Sequence, residues 1–205
     1  METQNIYCIG RNYAKHAEEL GNAIPKQPIL FSKPTHALVY TDGQVISLPK
    51  DKGEVHHEIE IVLRIDRDVQ KGDRVEDVVS EIALGLDLTL RDVQSVLKEK
   101  GHPWLRAKGF KNSAIVTPFW KFEGVESLKQ VDFSFVKNGD VIQKGNIQNM
   151  MFDFQAIIDE CAECFGLGKG DLIYTGTPEG VGPLHSGDEC ILYWGAEEKG
   201  RFIVE

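Results

Sequence analysis

Long apolar runs are missing from this chain, and so is any cluster of basic residues. No stretch approaches the roughly 20 apolar residues that a spanning helix needs, so no membrane segment is expected. Lys and Arg number 23 against 32 Asp and Glu, giving a net charge of −9 and a pI near 5.2. Without a basic patch or basic-aromatic stripe, nothing offsets phosphate repulsion, which excludes nucleic acid as a partner. An acidic surface disfavours anionic lipid as well. An anionic substrate would therefore need a local positive partner, either a metal ion or a few placed Lys and Arg. Met1 to Gly10 has neither the basic nor the apolar region of a secretory signal, so a cytoplasmic location is expected. Cysteine is scarce: Cys8, Cys161, Cys164 and Cys190. Cys161 and Cys164 are spaced as a metal or redox pair, but a zinc site wants a second pair and none exists. Reduced, partly buried thiols are the simpler reading, with the redox or metal role as its alternative. Internal repeats and low-complexity segments are absent too.

What is present fits one domain over residues 1–205, with 41% hydrophobic residues to fill its core. "IYCIG" reads as a strand, and "RNYAKHAEELG" as a helix with Asn12 as N-cap and Gly21 as its stop. A loop-rich passage with three prolines follows, interrupted by the apolar run Ile29–Phe31. A strand is expected from about Val55 to Ile65. Alternation places Ile59, Ile61, Leu63 and Ile65 on one face and Glu58, Glu60, Val62 and Arg64 on the other. "EIALGLDLT" sorts the same way, with Ile82, Leu84, Leu86 and Leu88 opposite Gly85, Asp87 and Thr89. "TLRDVQSVLKEKG" reads as a helix, with Thr89 and Asp92 near capping-box spacing and Gly101 as its stop. Asn138-Gly139 between two apolar runs signals a hairpin. A helix near Phe154–Phe165 leads to the strands "LIYTG", "ECILYW" and "RFIVE". Seven or more short strands and three modest helices, without regular alternation, describe a β-dominated α+β domain rather than a doubly wound sheet.

Two glutamates side by side in an otherwise buried strand need compensation, because burying an unpaired carboxylate is costly. Glu58 and Glu60 project from one face, and Asp87 interrupts a neighbouring apolar strand. Three carboxylates converging from two strands suit a hard divalent ion: Mg²⁺, with Mn²⁺ or Ca²⁺ as substitutes. A solvated strand face is the alternative. His56 and His57 point to opposite faces, which suits packing or support better than ligation. His16 and Glu19 are three apart on the expected helix, so the carboxylate could orient the imidazole as a base, or both could simply face solvent. Lys108 and Arg106, in a glycine-flanked loop, could each meet an anion. "YTGTPEGVGP" could cradle a carboxylate with backbone N–H groups and the hydroxyls of Thr175 and Thr177.

The stretches "GRNYAKHAEELG", "KPTHALV", "HHEIEIVLRI", "GLDLTLRDVQ", "KGHPWLRAKGF" and "DLIYTGTPEGVGP" occur in this order. Together they resemble the fumarylacetoacetate hydrolase family, in particular its acylpyruvate hydrolase and oxaloacetate decarboxylase branch. The resemblance runs from about Ile6 to Val204. It implies a β-rich mixed roll, usually a homodimer, with Mg²⁺ or Mn²⁺ held by Glu58, Glu60 and Asp87. It implies Lys108 as the lysine beside metal and substrate, and His16 with Glu19 as a water-activating dyad. Arg11, Gln94 and Thr177 fall on substrate-binding positions. The activity it implies is metal-dependent hydrolysis of a C–C bond in acylpyruvates or fumarylpyruvate. The alternatives are an oxaloacetate decarboxylase or tautomerase, or an isomerase of aromatic catabolism. The substrate expected in every case is a small 2-oxo or 2,4-dioxo acid. Ile24 to Phe31 and Glu179 to Leu184 are the segments expected at its far end.

Overall fold

The computed structural model describes residues 2–19 and 25–205. Among the described residues three β-sheets organise the chain, and the largest, with eight strands, carries the centre of the molecule. Seven of its strands follow the order Ile29–Lys33, Ile6–Gly10, Leu172–Tyr174, Ile59–Ile65, Val79–Asp87, Ala114–Val116 and Leu38–Tyr40. Trp120–Lys121 also pairs with Val79–Asp87. Two of the pairings are parallel, Ile6–Gly10 with Leu172–Tyr174 and Leu38–Tyr40 with Ala114–Val116, so the sheet is mixed. A five-stranded sheet is built on the hairpin of Phe133–Lys137 and Asp140–Gly145, flanked by Glu189–Trp194, Glu197–Val204 and Val45–Ile46. Asn138 (φ 54°) and Gly139 (φ 90°) turn that hairpin as its sequence requires.

Alternation along the central strands produces two cores. Ile59, Ile61, Leu63 and Ile65, with Ile82, Leu84, Leu86 and Leu88, pack with Phe133, Phe135, Leu192 and Phe202 of the second sheet. Val62 and Ala83 face the other way, into a smaller cluster with Cys8, Ala114, Val116 and Tyr174. Gly85 lies on this second face opposite Glu60. A Cβ there would come within 2.6 Å of the Tyr174 ring and 2.8 Å of the Ile115 carbonyl oxygen. Glycine lets the Tyr174 ring cross the strand and donate its hydroxyl to Ile115 O at 3.0 Å.

The expected long strand from Val55 to Ile65 is two strands. Val55–His57 belongs to a three-stranded sheet with Thr89–Leu90 and Gly182–Pro183, Ile59–Ile65 belongs to the central sheet, and Glu58 is the joint. Three main helices stand where the periodicity puts them: Ala14–Glu19, Arg91–Glu99 and Phe154–Phe165. Three single-turn helices, Val75–Val78, Leu105–Lys108 and Val125–Leu128, carry too few residues for a periodicity to register. Two expected caps are replaced. Asn12 spends its amide on Phe152 and Thr175, while the Thr89 hydroxyl donates to Glu58 instead of closing a capping box. Asp92 accepts from the Glu54 N–H, and Gly101 (φ 64°) ends the helix as expected. Gly21 and Ile24 lie outside the described residues. All four cysteines are free; Cys8, Cys161 and Cys190 are buried and Cys164 is exposed.

Candidate active site

Glu58 owes its position to the joint between sheets. The Asp87 N–H donates to the Glu58 carbonyl at 2.9 Å, which draws the end of one strand against the start of the next. Glu60, two residues on, and Asp87, on the neighbouring strand, bring their carboxylates to the same point. One oxygen from each of the three lies within 4.8 Å of the others, and all three residues are buried.

Cations surround two of these acids. Lys108 ends the single turn Leu105–Lys108 rather than lying in a loop, and Arg106 on the same turn is exposed. The Lys108 ammonium donates to Glu58 Oε2 at 2.8 Å and Asp87 Oδ2 at 2.6 Å. Arg91 reaches Glu58 Oε1 at 2.8 Å, and the Thr89 hydroxyl donates to the same oxygen at 3.0 Å. Lys33, wholly buried, sits 2.6 Å from Asp87 Oδ1 as an ion pair without hydrogen-bond alignment. Its ammonium instead donates to the carbonyls of Leu88, at 3.1 Å, and Lys108.

Glu60 is the odd one. Its hydrogen bond among the described residues comes from the Gly176 N–H, at 2.7 Å. Gly176 is at φ 102°, with Asn12 so near that a Cβ would fall 2.5 Å from the asparagine's own. The protonation directions follow from this geometry. Burial would raise Glu58, but Lys108 and Arg91 outweigh it and hold the carboxyl below the usual range. Burial and the Asp87 charge push Glu60 well above that range, against the pull of Gly176. Burial would lower Lys108, but Asp87 and Glu58 hold it charged. A dication fits this donor set: it is all oxygen, it is closed to solvent, and one of its carboxylates has no cation of its own.

The small cavity above the acids, about 30 Å³, is lined by Arg11, His16, Phe31, Glu58, Arg91, Gln94, Lys98, Trp104 and Lys108, with Gly10. It unites five residues singled out from sequence: Arg11, His16, Glu58, Gln94 and Lys108. His16 Nδ1 stands 3.5 Å from Glu19 Oε2, and Glu19 also accepts from the Gly180 N–H at 3.2 Å. Burial lowers the His16 pKa while Glu58 and Glu19 oppose that shift. Gln94 accepts from Arg91 at 2.8 Å. Thr177 does not line this cavity; its hydroxyl meets Gln143 Nε2 at 2.9 Å, next to the Gly176 that binds Glu60. Thr175 departs from the expected cradle, since its hydroxyl donates to the Ile61 carbonyl at 2.9 Å within the sheet. His56 pairs with Glu54 and accepts from Arg91, and His57 is buried against Gln143. Neither joins the three acids.

Sequence reasoning missed Lys33, Arg91 and Gln143. Lys33 had a signal: it ends the apolar strand "ILFSK" in register with Ile29 and Phe31, where a charge is out of place. Arg91 sits within the quoted "TLRDVQ". Gln143 had none, because the polar alternation of its hairpin strand is ordinary.

A mixed-sheet fold that gathers three buried acids beside a buried lysine makes an enzyme-like site whose donor set could hold a divalent ion. The chain belongs to the fumarylacetoacetate hydrolase family: residues 5–202 match the fumarylacetoacetate (FAA) hydrolase C-terminal family. It is 39% identical over 192 residues, 91% of this chain and 86% of the relative, to the oxaloacetate tautomerase YcgM of Escherichia coli (strain K12). It is 38% identical over 189 residues to the mitochondrial oxaloacetate decarboxylase of Dictyostelium discoideum, covering 90% of this chain and 85% of the relative. Among solved structures it resembles fumarylpyruvate hydrolase from Pseudomonas aeruginosa in complex with Mn²⁺ and pyruvate. There the TM-score is 0.90 and the identity 31%, over 98% of this chain and 89% of the other. Among the described residues no helix is long and apolar enough to cross a membrane.

Proposed function

We propose that this chain is a Mg²⁺- or Mn²⁺-dependent oxaloacetate tautomerase with decarboxylase capacity, its ion held by Glu58, Glu60 and Asp87. The observation that carries this is the convergence of those three buried acids within 4.8 Å, beside Lys108. The names of two relatives at 39% and 38% identity support the tautomerase or decarboxylase reading over the acylpyruvate hydrolase expected first.

When bound, the ion supplies a Lewis acid for the 2-oxo oxygen and carboxylate of the substrate. Lys108 holds a positive charge beside the oxygen that becomes anionic as a C3 proton or the 4-carboxylate leaves. His16, made less basic by burial, is a neutral base at the cavity wall, and Glu19 orients it. Keto–enol exchange needs that base to take a proton from carbon and return one to oxygen. Decarboxylation needs only the cationic surroundings. Gln94 spends its carbonyl oxygen on Arg91, which leaves its amide N–H groups as donors for substrate or water. Arg11 lines the same cavity as a carboxylate partner, and Thr177 supplies a hydroxyl near Glu60.

Acylpyruvate hydrolysis is the second reading, favoured by the His16–Glu19 pair that an attacking water would need. Both readings share one catalytic domain over residues 1–205, a homodimer and a cytoplasmic setting.

The test is purified protein loaded with Mg²⁺ or Mn²⁺ and offered enol-oxaloacetate, acetylpyruvate and fumarylpyruvate, with a chelator control. Metal-dependent loss of the enol absorbance faster than carbon dioxide release is the expected result. Cleavage of the acylpyruvates at a higher kcat/KM would replace it with the hydrolase.

A further inference from the structure

A buried amide ties the acid-bearing strand to the glycine-rich loop, and its hydrogen-bond directions can be read without ambiguity. Gln143 projects from the Asp140–Gly145 strand of the second sheet and is 1% exposed. Its Oε1 lies 3.1 Å from the Ile59 N–H, between Glu58 and Glu60 in sequence. Its Nε2 lies 3.0 Å from the Pro178 carbonyl. A backbone N–H can only donate and a carbonyl can only accept, so these two contacts fix which end of the amide is which. Two consequences follow. His57 Nδ1, 2.8 Å from the same Oε1, must carry a proton. The Thr177 oxygen, 2.9 Å from Nε2, must accept, so the Thr177 proton is left to be given elsewhere. Among the described residues that proton meets only the Pro178 carbonyl, at 3.4 Å. The loop lies hard against this strand: a Cβ on Gly180 would come 2.4 Å from the Ile142 carbonyl oxygen.

We infer that Gln143 is a positioning residue for substrate binding: by donating to the Thr177 oxygen it turns the hydroxyl proton away from itself, free to be given to an anionic oxygen of the 2-oxo acid. This rests on the functional reading above, in which Thr177 supplies a hydroxyl near Glu60 toward the bound substrate. His57 holds the far end of the amide, so the three side chains form one directed chain from the core to the loop.

Pyruvate binding to Mn²⁺-loaded protein, followed by calorimetry, tests the inference in the wild type, Gln143→Met, Thr177→Val and the double variant. Each single substitution should weaken pyruvate about tenfold, the usual scale for one hydrogen bond to a charged group. The double variant should bind no worse than Thr177→Val alone. Unchanged binding in Gln143→Met, or losses that multiply in the double variant, would overturn the proposal. A residue that served structure alone would lower the melting temperature without that coupling. If Gln143→Met does not fold, ¹⁵N shifts of His57 in the wild type decide. A protonated Nδ1 with a bare Nε2 supports the chain, and the opposite tautomer, which cannot donate to Gln143 Oε1, overturns it. Loaded wild-type protein that binds no 2-oxo acid, yet shows the expected tautomer, would refute the functional reading and with it the substrate role given to Gln143.

Discussion

Replacing Glu60 by Gln separates the carboxylate that needs a dication from those that do not. Glu60 is fully buried with its pKa raised, first by burial and then by the Asp87 charge. In the metal-free protein it is destabilising above its unfolded pKa of about 4.5, because the folded state keeps a proton that the unfolded chain releases. Stability therefore falls as pH rises from 4.5 toward the folded pKa. The largest cost at pH 7 is set by the unfolded value alone, about 1.36 kcal/mol for each of 2.5 pH units, or roughly 3 kcal/mol. Glutamine has the shape of the protonated acid, and its oxygen can still accept from Gly176. Without metal, Glu60→Gln should gain up to that amount near neutrality, on the order of 6–12 °C for a domain of this size. Near pH 4.5 the gain should vanish. His57, held down to about 4 by burial, titrates in the opposite sense, so the difference between variant and wild type is the quantity to plot. Adding Mg²⁺ should raise the wild-type melting temperature and leave the variant unmoved. A variant less stable than wild type without metal, or one equally stabilised by Mg²⁺, would refute the charge assignment.

Lys33→Met removes a buried ion-pair partner from Asp87 and should cost about 3–5 kcal/mol, read as a thermal shift of roughly 6–20 °C. A shift near zero would mean that Lys108 alone satisfies Asp87. His16→Ala should lower kcat for the preferred 2-oxo acid by about 10²–10⁴ while leaving the Mg²⁺-induced thermal shift intact. Unimpaired turnover would remove the dyad from the chemistry. Gly85→Ala should destabilise the protein and reduce Mg²⁺ affinity together, since the new methyl group meets Tyr174 and the Ile115 carbonyl opposite Glu60.

The central strands are legible in the sequence because burial on one face imposes a period of two over many residues. Ile82, Leu84, Leu86 and Leu88 recur on one side, and Asp87 stands out on the other for that reason. The break at Glu58 is not legible. Nothing in "HHEIEI" tells that residues 55–57 leave for another sheet, because that choice depends on Thr89–Leu90 and Gly182–Pro183, far along the chain. Capping failed for a related reason. Asn12 and Thr89 carry side chains suited to capping, and tertiary partners took them: Phe152 and Thr175 for one, Glu58 for the other. Local rules assign a polar side chain to its neighbours until a buried charge competes for it.

The site shows the same asymmetry between acids and cations. Acids in apolar strands announce themselves by breaking a pattern, as Lys33 does at the end of its strand, whereas Arg91 and Lys108 arrive from two helices whose own patterns are unremarkable. Their convergence has a chemical consequence. Three ionised acids and three cations cancel, yet among the described residues Glu58 and Asp87 hold all three cations in ion pairs and Glu60 holds none. With a dication bound and Glu60 ionised, the six side chains and the ion would carry two positive charges in excess, and Arg11 and Lys98 line the same cavity. A doubly charged 2-oxo acid would offset more of that excess than a singly charged acylpyruvate. The cationic excess should thus favour oxaloacetate over acetylpyruvate, with a preference that weakens as salt screens the approach but persists in kcat. Equal kcat/KM for the two acids at low salt would show that shape, not charge, selects the substrate.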